Sequence, residues 1–258
     1  MNFSQFSENR MRFFQLSSYF SKQFFKALLV RAFIFIVALL CIFLFITPTF
    51  PLPRMVYQIC SMLVLAYYVV ATAGSIIERT QLSSVELILA KPFTRRDIIL
   101  ADFLSIITTT SILTLLLTLV VTLAYGIRWQ EWSTTFLGLA ISLNINFFAL
   151  YGFILLSGIL LKNIAVVTVL WIGYVYVGAI LLETRSEFIY QNLGSHSFVQ
   201  LICDGVYYLL PQLYAVSRAI TLSFSDASSN LLPLVFTITG GIAALTCSVY
   251  LFNRQELE

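Results

Sequence analysis

A charged stretch from Glu78 to Asp97 contains the side chains of this sequence that are best suited to binding a partner. Carboxylates and cationic groups follow one another closely there, at Glu78, Arg79, Glu86, Lys91, Arg95, Arg96 and Asp97, and Asp102 comes shortly after. Hydrogen bonds that involve ionised groups are roughly twice as strong as neutral ones. Because long uncharged runs flank the stretch on both sides, it predicts a polar docking surface on an otherwise apolar chain.

The same stretch predicts its own local structure. Apolar residues surround Glu86 and Leu87, which favours a short amphipathic helix. Pro92, directly after Lys91, ends that helix because proline has no amide proton and crowds the preceding turn. A second and much longer helix is expected to begin near Asp97.

The composition is that of a protein that crosses a membrane several times. Of its 258 residues, 59% are hydrophobic and 10% are charged, whereas a soluble domain carries about 25% charged residues. Backbone in hydrocarbon must satisfy its own hydrogen bonds, which favours helices, and the short alternating strands of a barrel are not found. We therefore expect an all-α membrane protein with a single transmembrane domain over residues 1–258.

Six apolar runs are long enough to cross a bilayer as helices. They cover about residues 27–47, 54–77, 97–125, 134–161, 164–182 and 231–252. A turn holding Trp129 and Trp132 is expected over residues 126–133. Residues 1–26 mix basic and aromatic side chains and predict a helix that lies in the membrane interface.

The segment of residues 183–230 is less apolar than the predicted spans. It contains short amphipathic pieces at about residues 187–193, 198–210 and 212–222, with Pro211 between the last two. Such a segment either lies on the membrane surface or dips into the membrane as a re-entrant hairpin, provided that protein covers its backbone. The sequence leaves both arrangements open.

The distribution of basic residues predicts the orientation in the membrane. Lysine and arginine concentrate in the N-terminal segment and in residues 78–97, and the turn at Lys162 and the tail at Arg254 add two more on the same side. The opposite side has four arginines spread over more chain, at positions 54, 128, 185 and 218. Basic residues favour the cytoplasmic side. We expect both termini and the 78–97 loop in the cytoplasm and residues 183–230 outside.

The sequence does not indicate an enzyme. It has no glycine-rich phosphate loop ending in lysine, and no nucleophile beside a base. His196 is the only histidine, and the four cysteines lack the spacing of a disulfide framework or a metal site. The chain by itself is therefore expected to hold no metal and no cofactor.

The absence of charged residues from the spans indicates where energy for transport would enter. A charge at the centre of a membrane helix costs roughly 2.5–3.5 kcal/mol, so charges that persist there mark ion or proton pathways. The central parts of the six predicted spans carry none. An ion-coupled secondary transporter is disfavoured, and energy is expected to arrive from outside the membrane domain.

The charged stretch resembles the cytoplasmic loop of ABC-2 type transporter permeases. That loop has an acidic residue, then Gly-Thr-x-Glu-Leu-Leu-Leu-x-x-Pro, a Ser/Thr-Arg pair and the next span. Here the matching features are Glu78, the run Glu86-Leu87-Ile88-Leu89, Pro92 and Thr94-Arg95, with Ser83-Ser84 standing where the family often has Gly-Thr. The tail from Phe252 to Leu257 resembles the family's closing Phe-x-Arg-Arg-Asp-Leu.

This resemblance implies the membrane subunit of an ABC exporter in a bacterial cytoplasmic membrane. Such permeases work as pairs, identical or related, with cytoplasmic ATPase subunits that bind the ATP. The short helix of the 78–97 loop would sit in a groove of the ATPase, and the substrate would be amphipathic or hydrophobic; no nucleic acid is involved. The alternative is a non-transporting membrane assembly protein that docks a soluble partner through the same loop.

Two further groups of side chains carry predictions. The resemblance makes the second and fifth spans part of the substrate path, with candidates Tyr67, Tyr68, Trp171, Tyr174 and Tyr176, although ordinary aromatic packing is the alternative. Threonines 110, 114, 118 and 122 share one face of the third span and are expected to bond back to their own helix. Asn144 and Asn146 are expected to hydrogen-bond to neighbouring helices.

Overall fold

The computed structural model describes residues 16–20, 37, 53–80, 95–130, 132, 135–185, 197–223 and 230–254, and in this part of the chain every regular element is a helix. The long helices are α1 (Pro53–Thr80), α2 (Arg95–Trp129) and α3 (Thr135–Leu161). Next, α4 (Ile164–Gly173) continues through a π-helical turn (Tyr174–Gly178), called the π-turn below, into α5 (Ala179–Glu183). The chain then forms α6 (Ser197–Leu209), α7 (Leu213–Ser223) and α8 (Leu232–Arg254).

Five stretches of these helices are long and apolar enough to cross a membrane. They are residues 59–76, 96–129, 136–161, 164–183 and 232–254. They confirm the second to sixth predicted spans, so the chain is a multi-pass membrane protein. The first predicted span and the 1–26 segment lie outside the described residues, apart from Val37 and the helical residues 16–20.

The boundary at the end of α2 differs from the prediction. The turn expected from Gly126 begins later, because α2 stays helical to Trp129. Gln130 then ends the helix with a positive φ of 57°. The Trp132 ring covers Gly126 so closely that a Cβ there would lie 2.8 Å from ring carbons, so this side chain packs against the end of α2.

Helix α3 lies at the centre of the described bundle. It packs against α1, α2, α4, α7 and α8, and 72% of its spanning residues are buried, more than in the other described spans. Residue pairs 102/151, 111/144 and 125/136 show that α2 runs antiparallel to α3. The start of α2 therefore lies at the same end of the bundle as Leu161, where α3 ends.

Helices α3 and α8 run parallel and approach each other through small residues. A Cβ added at Gly152 would lie 2.6 Å from the Gly241 carbonyl oxygen, and one at Gly241 would lie 2.7 Å from the Ala149 Cα. Small residues at a membrane helix crossing let the backbones approach and gain van der Waals contact. Ser248 adds a hydrogen bond from its hydroxyl to the Gly152 carbonyl.

The tight turn predicted at Lys162 and Asn163 is confirmed. Lys162 has a positive φ of 51° and ends α3. The Asn163 side chain then accepts hydrogen bonds from the amides of Ala165 and Val166 and caps α4. Because α3 and α8 are parallel, Lys162, Arg254 and the start of α2 all lie at one end of the bundle.

The predictions for the polar residues of the third and fourth spans are confirmed in part. The hydroxyls of Thr110, Thr114 and Thr122 donate to carbonyls of their own helix. Asn144 bonds to Ser111 and Thr114 of α2. These contacts hold α2 and α3 together near the middle of both helices.

The segment after α5 is a helical hairpin that enters the bundle. Pro211 separates α6 from α7, as predicted. The end of α6 contacts α8 at Gly240, where an added Cβ would lie 3.4 Å from the Leu209 carbonyl oxygen. Gly240 is about 12 Å from the start of α8 at about 1.5 Å per residue. Leu213 reaches Asn146, which is about 16 Å along α3 by the same rise. The apex of the hairpin, residues 210–213, therefore lies beside inner turns of α3 and α8 and not beside their ends.

Candidate functional site

The residues that flank the predicted docking loop are helical on both sides. Glu78 and Arg79 belong to the last turn of α1 and Arg95 opens α2, where Arg96 is exposed and Asp97 is half-buried. The other predicted loop residues, Glu86, Leu87, Lys91 and Pro92, lie outside the described residues. The helix break expected at Pro92 therefore stays a prediction.

An N-terminal piece of chain packs against the first turns of α2. Phe20 is 2% exposed and contacts Ile98 and Ala101, with Leu16 packed beside it. These residues directly follow the charged stretch. The start of α2 therefore contacts residues 16–20 as well as the transmembrane bundle.

Asp102 lies inside α2, within the predicted third span, and is 4% exposed. The sequence did not predict its burial. Its carboxylate accepts a hydrogen bond of 3.0 Å from the Tyr151 hydroxyl of α3, and the Phe103 ring packs on the Tyr151 ring. Among the described residues Asp102 is the one charged side chain that is buried. An ionisable group inside a membrane helix is a functional candidate by default.

Three of the five predicted substrate-path aromatics are buried, and a fourth, Tyr174, is partly buried. Tyr68 stacks on Phe147 and donates to its carbonyl, and Tyr67 is 8% exposed. Trp171 donates to the Ser157 hydroxyl at 2.8 Å. Tyr174 and Tyr176 belong to the π-turn; Tyr174 is bonded to the hairpin, and Tyr176 is exposed. Contact with a substrate stays a prediction, for which Tyr176 has the most accessible ring.

Side chains from three different spans satisfy the polar backbone of the hairpin apex. The Pro211 carbonyl accepts from the Tyr174 hydroxyl at 2.7 Å, and the Leu213 carbonyl accepts from the Asn146 amide at 3.2 Å. The amide of Gln212 donates to the Thr237 hydroxyl at 3.0 Å. Non-helical backbone at membrane depth needs such protein partners because hydrocarbon offers none. These bonds hold the apex of the hairpin against α3, the π-turn and α8.

A charged contact joins the end of α5 to helix α6. Arg185, just after α5, donates to the Asp204 carboxylate at 2.6 Å and lies 3.8 Å above the Tyr207 ring. Burial raises the pKa of Tyr207, and the Glu183 carboxylate raises it further while Arg185 opposes the shift. The phenol therefore stays neutral. A cavity of about 10 Å³ lies beneath, between α5, Gln212 and Tyr214.

No protein-family model matches this chain, and no curated protein does.

The described residues form one connected arrangement. The loop-bearing end of α2 is bonded to α3 through Asp102 and Tyr151, and α3 is bonded to the hairpin apex through Asn146. The apex is bonded in turn to the π-turn and to α8.

Proposed function

We propose that this chain is the membrane subunit of an ATP-driven exporter of the ABC-2 type. It works as one of a pair of permeases, and a separate cytoplasmic ATPase supplies the energy. The observation that carries the proposal is the charged stretch at residues 78–97, which separates two long membrane helices. It contains a short amphipathic segment, a proline break and an Arg-Arg pair.

The position of this stretch suits a lever. It connects α1 to α2, and α2 extends over about 50 Å at about 1.5 Å per residue, so a push at its start acts on a rigid element. The start of α2 lies at the same end as Lys162 and Arg254, which fits a cytoplasmic face rich in basic residues. Docking of the ATPase on the loop would therefore displace α2 against α3.

The chemistry of the loop suits an interface that opens and closes. Glu86 is surrounded by apolar residues, and Arg95 and Arg96 follow the break. A carboxylate and a guanidinium form short, charge-assisted hydrogen bonds with complementary groups. The aromatic candidate Tyr176 lies on the exposed face of the fifth span, where an amphipathic substrate or the second permease would meet it.

A double charge reversal tests the proposal. The chain is purified from membranes in mild detergent as wild type and as Glu86→Arg/Arg95→Glu, and ATP hydrolysis and the attached ATPase are measured. The double variant should retain less than about one tenth of the ATPase, because losing charged interface contacts costs 2–5 kcal/mol and each 1.4 kcal/mol is tenfold in affinity.

Arg128→Glu is the matched control. Arg128 is exposed at the opposite end of α2, so the variant makes a charge change of the same kind away from the loop and should leave ATPase binding unchanged. Full ATP-dependent transport by the double variant would contradict the proposal. A stable partner that has no ATPase activity would instead favour the membrane assembly protein.

A further inference from the structure

The π-turn leaves one backbone carbonyl without its helical donor. The amide of Ala179 donates to the Tyr174 carbonyl, five residues back, instead of to Val175, four residues back. In a regular α-helix that amide would have satisfied the Val175 carbonyl. Turns of this kind are rare and occur mostly as single turns inside α-helices, frequently at functional sites.

A side chain of the hairpin replaces the missing donor. The Tyr214 hydroxyl of α7 donates to the Val175 carbonyl at 3.0 Å. The π-turn returns the contact, since the Tyr174 hydroxyl donates to the Pro211 carbonyl at 2.7 Å. The two tyrosines thus form reciprocal bonds between the π-turn and the hairpin. Only the Tyr214 bond stabilises the π-turn form itself, because it satisfies the Val175 carbonyl, which would be satisfied by the Ala179 amide in an α-helix.

The helical register decides which side chains α5 exposes. Ala179 is 6% exposed and lines the small cavity, whereas the next residue, Ile180, is 38% exposed. Conversion of the π-turn to α-helix would move each later residue into the place that its successor holds, a rotation of roughly 100°. Ala179 would then take the exposed place of Ile180, and the surface of the fifth span would change.

We propose that Tyr214 is a positioning residue that sets the register of the outer half of the fifth span. Its hydroxyl selects the π-turn over the α-helical form, and so keeps Ala179 inward and the side chains of Val177 and Ile180 outward. A movement of the hairpin that breaks this bond releases the rotation. The inference concerns the fold of the fifth span and does not depend on the transport function.

Cysteine protection measures the register directly. In the full chain with its four cysteines replaced by serine, single cysteines are placed at Ala179, at Ile180 and at Val167, which is buried in α4. Their rates of reaction with N-ethylmaleimide are compared in detergent. With Tyr214 present, the cysteine at position 179 should react about tenfold more slowly than that at 180, because thiol reactivity follows exposure.

The Tyr214→Phe substitution should abolish this difference. The cysteine at position 179 becomes as reactive as that at 180, while the one at 167 stays protected because α4 precedes the turn. Tyr174→Phe is the matched control: it also removes a tyrosine hydroxyl bonded to the backbone, but it leaves the Val175 carbonyl satisfied, so protection at 179 should persist. Continued protection at 179 in Tyr214→Phe would overturn the proposal.

A deletion supplies the second test, which remains informative when the Tyr214→Phe variant folds poorly. Removing Val177 from the Tyr214→Phe chain takes out the extra residue of the π-turn, so a regular α-helix then returns Ala179 to its inward place. Protection at 179 and the yield of folded protein should both recover. The proposal fails if the deletion restores neither, or if the cysteine at 167 becomes reactive together with that at 179.

Discussion

Replacing Gly241 by alanine should cause a large loss of stability. The added Cβ would lie 2.7 Å from the Ala149 Cα, which is backbone of the central helix α3 and has no rotamer to change. Overpacking of this kind costs about 1–3 kcal/mol and sometimes more. Because the α3–α8 pair is the most extensive helix contact of the described bundle, the strain spreads to α8 as a whole.

The measurement is the free energy of unfolding in mixed detergent micelles, followed by the yield of monodisperse protein. Gly173→Ala is the matched control, since a Cβ there meets nothing within 4 Å. It should be neutral or stabilise the chain by up to about 1 kcal/mol, the helix-propensity difference between the two residues. Equal effects of the two substitutions would contradict the close approach of α3 and α8.

Tyr151→Phe should be the second most damaging substitution. It removes the hydroxyl that donates to the buried Asp102 carboxylate at 3.0 Å. Loss of one partner of a buried polar pair costs about 1–3 kcal/mol, and more where the remaining group is charged. The free energy of unfolding should fall by that amount, and α2 should lose this hydrogen bond to α3 near the loop-bearing end.

Tyr68→Phe is the control for the loss of a buried hydroxyl. Tyr68 donates to the Phe147 carbonyl, which lies inside α3 and keeps its helical donor, so the cost should stay near 0.5–1.5 kcal/mol, about that of one net hydrogen bond. Combining Asp102→Asn with Tyr151→Phe should cost less than the sum of the two, because both remove the same contact. Strict additivity would argue against the pair.

The positions of the spans could be predicted well from the sequence. Helices α3, α4–α5 and α8 begin within a residue of the predicted spans and end within two, because uninterrupted apolar runs and turn residues such as Lys162 and Asn163 define them. Pro211 likewise marked the separation of α6 from α7. These signals are local, so a single sequence contains them.

The contacts that make the candidate site could not be predicted in the same way. Asp102 meets a tyrosine 49 residues away, and nothing in the local sequence pattern distinguishes it from Arg96, which is exposed. The fifth span is apolar on all sides. A π-turn shifts which positions face the bundle, and this shift can be recognised only where apolar and polar faces alternate along the sequence. Similarly, the depth of the hairpin depends on Asn146, Tyr174 and Thr237, which belong to three different spans.

One measurement tests the central claim most directly: photo-cross-linking from the docking loop in intact cells. A benzoyl-phenylalanine placed at Leu87 should form a covalent adduct with a cytoplasmic ATPase that has a glycine-rich phosphate loop. The same group placed at Phe198, exposed on the hairpin, should form no such adduct. A cysteine at position 87 that reacts with a membrane-impermeant maleimide from outside the cell, with no ATPase adduct, would contradict the account.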